Sequence, residues 1–171
     1  FIACGSVLLS FIAAVMLFAK LLSLPEDART IYVHAFRWIN AGDFHSTMGF
    51  LIDPLSSVFL LIITGVGFLI HVYSTAYMHH ESAPDFAKYF AYLNLFVFSM
   101  LLLVMGGNFL IMFIGWEGVG LCSYLLIGYW FKNNDYTNAA KKAFVMNRIG
   151  DLGFLLALFM ALAKRRDGIG D

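Results

Sequence analysis

Glu117 is an acid near the middle of an apolar stretch that runs roughly from Phe109 to Trp130. Eight helical steps from Phe109 place it roughly 12 Å into a hydrocarbon layer that is about 30 Å thick. A carboxylate at that depth costs about 2.5–3.5 kcal/mol on insertion scales, and such groups are usually functional. Burial favours its protonated form and a nearby cation favours its ionised form, so a moving cation can drive proton uptake and release. The sequence therefore predicts a proton relay at Glu117, with a purely structural acid as the alternative.

Arg148 and Asp151 form a second candidate site. They are three residues apart, so on a helix they share one face and can pair directly. One interpretation is an ion pair that neutralises itself near the membrane edge. The other is that Asp151 faces another helix or subunit and takes part in function.

The other intramembrane polar residues give weaker signals. His71 could relay protons, but the simpler interpretation is a packed, hydrogen-bonded side chain. His79, His80 and Glu81 have the residue types of a metal site without the spacing of a third ligand, so we expect a solvated loop and no metal. Hydrogen bonds between helices are the expected role of Asn94, Tyr124 and the serines.

The composition indicates a membrane protein. Hydrophobic residues make up 61% of the 171 residues and charged residues 13%, against about 25% charge in a soluble domain. Five segments approach the length of about 20 apolar residues that a crossing needs, at about 1–19, 55–73, 88–105, 109–130 and 144–163. We predict an all-α membrane protein in which residues 1–171 form one transmembrane region, a bundle of about five helices. Eleven basic residues balance eleven acidic ones and no nucleotide-binding motif is present, so we expect no nucleic-acid partner.

Capping and turn residues between the segments predict where the helices begin and where the chain turns. Asp53 before Pro54 and Ser82 before Pro84 are typical of helix N-termini, with the polar side chain as the cap. Residues 106–108, Gly-Gly-Asn, leave room only for a tight antiparallel turn. The third and fourth helices are therefore expected to lie side by side.

The longest connection, about 20–50, is predicted to be an interfacial loop packed on the membrane rim. It carries aromatic residues of the kind that lie at membrane interfaces, namely Tyr32, Phe36 and Trp38. Lys141 and Lys142 stand just before the fifth segment and are expected to anchor it at the interface.

Three stretches resemble a known family. Residues 113–128 (FIGWEGVGLCSYLLIG) closely resemble the glutamate-bearing helix of the antiporter-like, proton-pumping membrane subunits of respiratory complex I, of the large chain-L type. Residues 65–73 (GVGFLIHVY) resemble the helix two before it, and residues 142–151 (KAFVMNRIGD) resemble the helix after it. The resemblance covers most of residues 44–163.

The resemblance implies a proton channel built from inverted repeats, in which Glu117 pairs with a lysine on a later, broken helix. Arg148 and Asp151 match the charged pair of the family's next helix. The chain would be the N-terminal part of a larger subunit, which its start at Phe1 without a methionine also indicates. The partner lysine would lie beyond Asp171.

The resemblance also implies a role within an enzyme complex, NADH:quinone oxidoreductase, whose redox chemistry lies elsewhere. No cofactor is expected on this chain, and NADH, FMN, iron–sulfur clusters and quinone are expected on other subunits. The expected partners are other membrane-arm subunits, especially a neighbouring antiporter-like subunit, and the lipid bilayer. The expected location is the bacterial cell inner membrane or the mitochondrial inner membrane.

Two alternatives stay open. The chain could belong to the large subunit of a multisubunit sodium/proton antiporter or of a related membrane-bound hydrogenase. A long lateral helix at the C-terminus of the full chain would favour complex I, whereas extra terminal domains would favour the antiporter. The second alternative is a structural membrane module whose charges only fix helix packing.

Overall fold

Long apolar helices make up most of the computed structural model, which describes residues 2–41 and 44–167. In chain order the elements are α1 (Ile2–Ser23), a short 3₁₀ turn (Glu26–Ala28), β1 (Ile31–Ala41), β2 (Phe44–Ile52), α2 (Pro54–Tyr77), α3 (Ala83–Met105), α4 (Phe109–Ile127) and α5 (Asn134–Asp167). Within these residues five helices are long and apolar enough to cross a membrane, which confirms the predicted all-α membrane class. The chain divides into two compact units, Phe1–Cys122 and Ser123–Asp171.

A buried seam along α2 organises the first unit. Its members alternate at spacings of three and four residues and are mostly small or polar, namely Ser57, Leu60, Thr64, Gly67, His71, Ser74 and Met78. This period of 3.5 residues is the packing pattern of a coiled coil. Both α1 and α3 pack on α2. A β-carbon at Gly67 would lie 3.3 Å from Val97 Cγ2 on α3 and 3.8 Å from Val7 Cγ1 on α1, so the missing side chain lets three helices approach.

The neighbouring helices supply apolar partners for this seam. On α1 the buried residues repeat every seven positions, at Val7, Ala14 and Leu21. One polar contact joins α1 to α3, where the Ser6 hydroxyl donates to Asn94 Oδ1 over 2.9 Å. This bond confirms the interhelical role predicted for Asn94.

The outward surface of α2 has the reverse polarity of a helix in a soluble protein. Its exposed side chains are large and apolar, namely Leu55, Val58, Phe59, Ile62, Val66, Leu69, Val72, Tyr73 and Tyr77. Water would penalise such a surface, whereas lipid tails do not, and small or polar side chains then hold the helices together. The protein is therefore an integral membrane protein.

The predicted caps of α2 and α3 differ in outcome. Asp53 caps α2 as predicted, because its Oδ1 accepts the Ser56 N–H over 2.7 Å while the Ser56 hydroxyl accepts the Asp53 N–H over 2.8 Å. These two bonds form a capping box. Ser82 occupies the N-cap position of α3 but makes no capping bond. Its hydroxyl donates instead to Asp85 Oδ2 over 2.6 Å, so the prediction held for the position and was wrong for the bond.

The prediction of a loop over about 20–50 was wrong, because most of that segment is a β-hairpin. β1 and β2 pair antiparallel from Ile31 opposite Ile52 to Ala41 opposite Phe44, with two register shifts within β1. β-Branched and aromatic residues dominate β1, and such residues favour the pleated conformation. The position of its aromatic residues at a membrane interface stays a prediction.

The turn between α3 and α4 is fixed to this hairpin. The Gly107 N–H donates to the Gly49 carbonyl over 3.0 Å, and Asn108 Nδ2 donates to the Thr47 carbonyl over 2.7 Å. The Asn108 Oδ1 accepts the N–H groups of Leu110 and Ile111 at the start of α4. One asparagine therefore caps α4 and ties the turn to β2.

In the second unit α5 begins at Asn134, well before the predicted start at about 144. Asn133 sets this start, because its Oδ1 accepts the Asp135 N–H over 2.9 Å, as an N-cap does. The 34 residues of α5 span about 51 Å, more than the hydrocarbon thickness of about 30 Å. Lys141 and Lys142 are exposed residues inside the helix and do not precede it, and their anchoring role stays a prediction.

Candidate functional site

Two glycines on α4 set the distance between α4 and α3. A β-carbon at Gly115 would overlap the backbone of Leu103, and one at Gly118 would lie 2.5 Å from the Ser99 hydroxyl oxygen. The two pairs run in opposite chain directions, so α3 and α4 form the antiparallel neighbours predicted from the short turn. Close approach of this kind is what small residues allow between membrane helices.

Glu117 lies on a different side of α4 from Gly115. Two residues along a helix correspond to about 200°, so Glu117 is placed almost opposite Gly115. Gly115 therefore makes room for the backbone of Leu103 and not for the carboxylate. Glu117 itself is half-buried. Its helix is fixed against α3, which leaves the opposite side of α4 to present the carboxylate.

Arg148 and Asp151 form the ion pair predicted from their spacing. The closest guanidinium nitrogen lies 3.5 Å from Asp151 Oδ2, and the side chains are 41% and 7% exposed respectively. A nearly buried carboxylate requires a cation or strong hydrogen bonds to stay ionised. Arg148 therefore supplies a cation to Asp151 from a partly exposed position.

Aromatic residues support the arginine. The guanidinium carbon of Arg148 lies 4.7 Å from the centroid of the Phe144 ring, within the range of a cation–π interaction. Phe144 in turn contacts Tyr124 on α4, with ring centroids 5.2 Å apart. One turn away, a β-carbon at Gly128 would lie 3.1 Å from Ala140 Cβ. The end of α4 and the start of α5 thus form a tight pair that positions Arg148.

The predicted site residues fall into both units. Glu117 belongs to the first unit, whereas Arg148 and Asp151 belong to the second. The structure brings the last two together as a direct pair. Glu117 is half-buried, and its helix is held against α3 by the contact of Gly115 with Leu103.

His71 and its neighbour Ser74 are the most deeply buried polar pair in the first unit, each with 0% exposure. The Nδ1 atom of His71 is 2.7 Å from the Gly67 carbonyl oxygen, and its ring lies near Phe90. Ser74 was predicted, with the other serines, to hydrogen-bond to another helix. That prediction is wrong for Ser74, whose Oγ has no partner among the described residues. No group of three or more histidine, cysteine or acidic residues within 2–41 and 44–167 could hold a metal ion.

Two family models match the chain. A model described as NADH-ubiquinone oxidoreductase (complex I), chain 5 N-terminus, matches residues 38–90. A second, described as NADH:quinone oxidoreductase/Mrp antiporter, transmembrane, matches residues 106–165. The second match includes Glu117, Arg148 and Asp151.

Curated relatives agree with these matches. NADH-quinone oxidoreductase subunit L of Mycobacterium tuberculosis is 47% identical over 160 residues, which is 94% of this chain and 25% of the relative. Subunit L of Campylobacter jejuni is 53% identical over 127 residues, 74% of this chain and 20% of the relative. The chloroplastic NAD(P)H-quinone oxidoreductase subunit 5 of Carpenteria californica is 46% identical over 148 residues, 86% of this chain and 20% of the relative. The chain spans about a quarter of the length of the first of these relatives, and about a fifth of the other two.

Proposed function

Because this chain belongs to the family of antiporter-like membrane subunits of NADH:quinone oxidoreductase, we propose that it takes part in translocating protons across an energy-transducing membrane. The observation that carries the proposal is Glu117, a carboxylic acid in the middle of α4 on a membrane helix. An ionisable group at that depth is costly and usually serves transport. The helix that bears it is held rigidly by the contact of Gly115 with Leu103.

Glu117 accepts a proton when no cation is near and releases it when a cation approaches. Low dielectric surroundings favour the neutral acid, and a positive charge within a few ångströms reverses that preference. The family resemblance assigns the cation to a lysine on a later, broken helix beyond residue 171. Movement of that lysine toward and away from Glu117 would load and unload the proton.

Arg148 and Asp151 act on this cycle from the following helix. The ion pair carries no net charge while it is closed. Opening it would separate the nearly buried Asp151 carboxylate from this cation. A change in the pair therefore changes the local field or the contact with a neighbouring antiporter-like subunit. The partly exposed Arg148 is the member that can exchange partners.

The remaining parts of the reaction belong to other subunits. We assign NADH, FMN, the iron–sulfur clusters and quinone to them, and the other membrane-arm subunits are the partners of this chain. The relatives that match this chain include a bacterial subunit L and a chloroplastic subunit 5. The bacterial cell inner membrane or the mitochondrial inner membrane is the proposed location.

A second candidate function is ion exchange in a multisubunit sodium/proton antiporter or a related membrane-bound hydrogenase. The transmembrane family model matched by residues 106–165 names both NADH:quinone oxidoreductase and Mrp antiporters. The match of residues 38–90 to a complex I model favours the first candidate. Sodium dependence of transport by the complete protein would favour the second.

The test is proton pumping by the complete, reconstituted complex that carries Glu117→Gln. Pumping is expected to fall sharply while the subunit still assembles, and Glu117→Asp, which keeps the carboxylate, should restore part of it. Glu26→Gln is the matched control, since Glu26 is an exposed residue in the 3₁₀ turn. Normal pumping by Glu117→Gln would make Glu117 a packing residue and refute the relay.

A further inference from the structure

His71 presents one ring nitrogen that the fold leaves without a protein partner. The residue is fully buried at 0% exposure, and its Nδ1 is 2.7 Å from the Gly67 carbonyl oxygen. A carbonyl only accepts, so Nδ1 carries the proton and Nε2 of the neutral ring is an acceptor. Among the residues that the structure describes, nothing hydrogen-bonds to Nε2.

Ser74 presents a second such atom one turn further along α2. It too has 0% exposure, and its Oγ has no hydrogen-bond partner within the described part of the chain. Two other buried hydroxyls in the bundle donate to the carbonyl four residues earlier, as Thr64 does to Leu60 over 2.6 Å and Ser99 to Leu95 over 2.8 Å. The Ser74 hydroxyl does not make that bond and stays available.

The two atoms are chemically complementary. Nε2 of His71 is an acceptor, and the Ser74 hydroxyl is a donor on the same face of the helix, three residues away. They do not bond to each other, since each is without a partner. A single water molecule between them would satisfy both, because it would donate to the imidazole and accept from the hydroxyl. Buried waters in proteins occupy polar sites of this kind, with two to four partners each.

We propose that His71 Nε2 and Ser74 Oγ form an internal water-binding site in the seam between α2 and its neighbours. Its ligand is one water molecule. The site stands on its own geometry and does not depend on the role of Glu117. A failure of proton relay at Glu117 would leave it unchanged.

The first test is a high-resolution electron cryo-microscopy structure of the complete, assembled complex. Ordered density within hydrogen-bond distance of both His71 Nε2 and Ser74 Oγ is expected. The proposal is overturned if Ser74 Oγ has turned to the Ile70 carbonyl, or if a side chain from elsewhere in the complex occupies the position.

A double-mutant cycle in the same complex gives an independent test. Ser74→Ala and His71→Phe should each lower the temperature at which half of this subunit is lost from the complex. Because either change removes one anchor of the same water, the double variant should lose no more than the larger single loss. Fully additive losses would refute a shared water.

Thr64→Val combined with His71→Phe is the matched control. Thr64 is buried on the same seam, and its hydroxyl already donates to Leu60. It lies two helical turns, about 10.5 Å, from His71. Losses at that separation are expected to add, and a non-additive control would show that the cycle does not report on the water.

Discussion

The backbone of Leu103 lies against Gly115 so closely that a β-carbon on residue 115 would overlap its amide nitrogen and lie 2.6 Å from its Cα. Backbone atoms in the middle of a helix cannot rotate away as a side chain can. The separation of α3 and α4 is therefore set by the absence of one methyl group.

Gly115→Ala is predicted to force the two helices apart and to destabilise the subunit. Overpacking of this kind usually costs about 1–3 kcal/mol, and a clash with backbone falls toward the upper end. Thermal stability of the assembled complex is the measurement. Gly5→Ala is the control, because a β-carbon there has no neighbour within 4 Å. Equal stability of the two variants would show that α3 and α4 do not require the contact.

Arg148→Ala is predicted to destabilise the second unit by leaving the nearly buried Asp151 carboxylate without this cation. Breaking a fully buried pair costs about 3–5 kcal/mol, and the 41% exposure of Arg148 reduces this to about 1–3 kcal/mol. Asp151→Asn in the Arg148→Ala background should recover much of the loss, since the charge is then gone. A double variant as unstable as Arg148→Ala alone would contradict a role for the pair.

Arg148→Lys separates charge from stacking. Lysine keeps the positive charge but lacks the planar guanidinium that lies over Phe144 at 4.7 Å. We expect an intermediate loss of stability, and an additional Phe144→Leu change should cost the lysine variant less than it costs the native chain. The same stability assay on the four proteins gives the comparison. Equal costs of Phe144→Leu in both backgrounds would exclude a cation–π contribution.

Asp53→Ala is predicted to lower stability by about 1 kcal/mol, the usual effect of losing an N-cap. The Ser56 N–H donates to the carboxylate and holds the pKa of Asp53 below its ordinary value of 3.8. A lowered folded-state pKa means that this contribution is complete above about pH 4 and disappears as the pH falls through the folded value. The difference in stability between native chain and Asp53→Ala should therefore shrink below about pH 3.8.

Asp53→Asn is the companion variant, since an asparagine caps a helix but does not titrate. Its stability relative to Asp53→Ala should not depend on pH over the same interval. A pH-dependent difference between these two variants would place the titration at another residue.

Asn108→Asp and Asn108→Ala distinguish the two bonds of one side chain. Aspartate keeps the acceptor for the Leu110 and Ile111 N–H groups but loses the donor to the Thr47 carbonyl. Alanine loses both, so we expect it to cost about 1–2 kcal/mol more than aspartate. Hydrogen exchange at the start of α4 should rise only in the alanine variant. Exchange that rises equally in both would mean that the cap is not formed by this side chain.

The length of the apolar segments predicted the helices well. A membrane span must form all its backbone hydrogen bonds internally, and it must present apolar side chains to lipid over about 20 residues. The same measure did not predict the start of α5, whose first turns lie outside the apolar segment. The signal there was the cap at Asn133, a property of hydrogen bonding and not of hydropathy. Hydropathy measures how much chain fits in the hydrocarbon, whereas caps determine where a helix begins.

The candidate site was predictable to different degrees. Spacing alone gave the Arg148–Asp151 pair, since residues three apart meet on any helix. The depth of Glu117 followed from its apolar surroundings, but the side of α4 on which it lies did not. The hydropathy of α4 has no polar side that would identify the face meeting α3. The available signal was residue size, since the small residues Gly115, Gly118 and Cys122 recur at spacings of three and four. The β-hairpin was missed because its charged and polar residues interrupt the alternation that predicts a strand.

The heptad seam of α2 restricts how the first unit can move. Buried residues at alternating spacings of three and four mean that α2 meshes with α1 and α3 in a fixed register, and an equivalent register recurs only after a shift of seven residues, about 10.5 Å. A sliding movement of α2 by one or two residues would break this register, because Gly67 would no longer lie between Val7 on α1 and Val97 on α3. The packing of the first unit therefore opposes any sliding of α2 along α1 and α3.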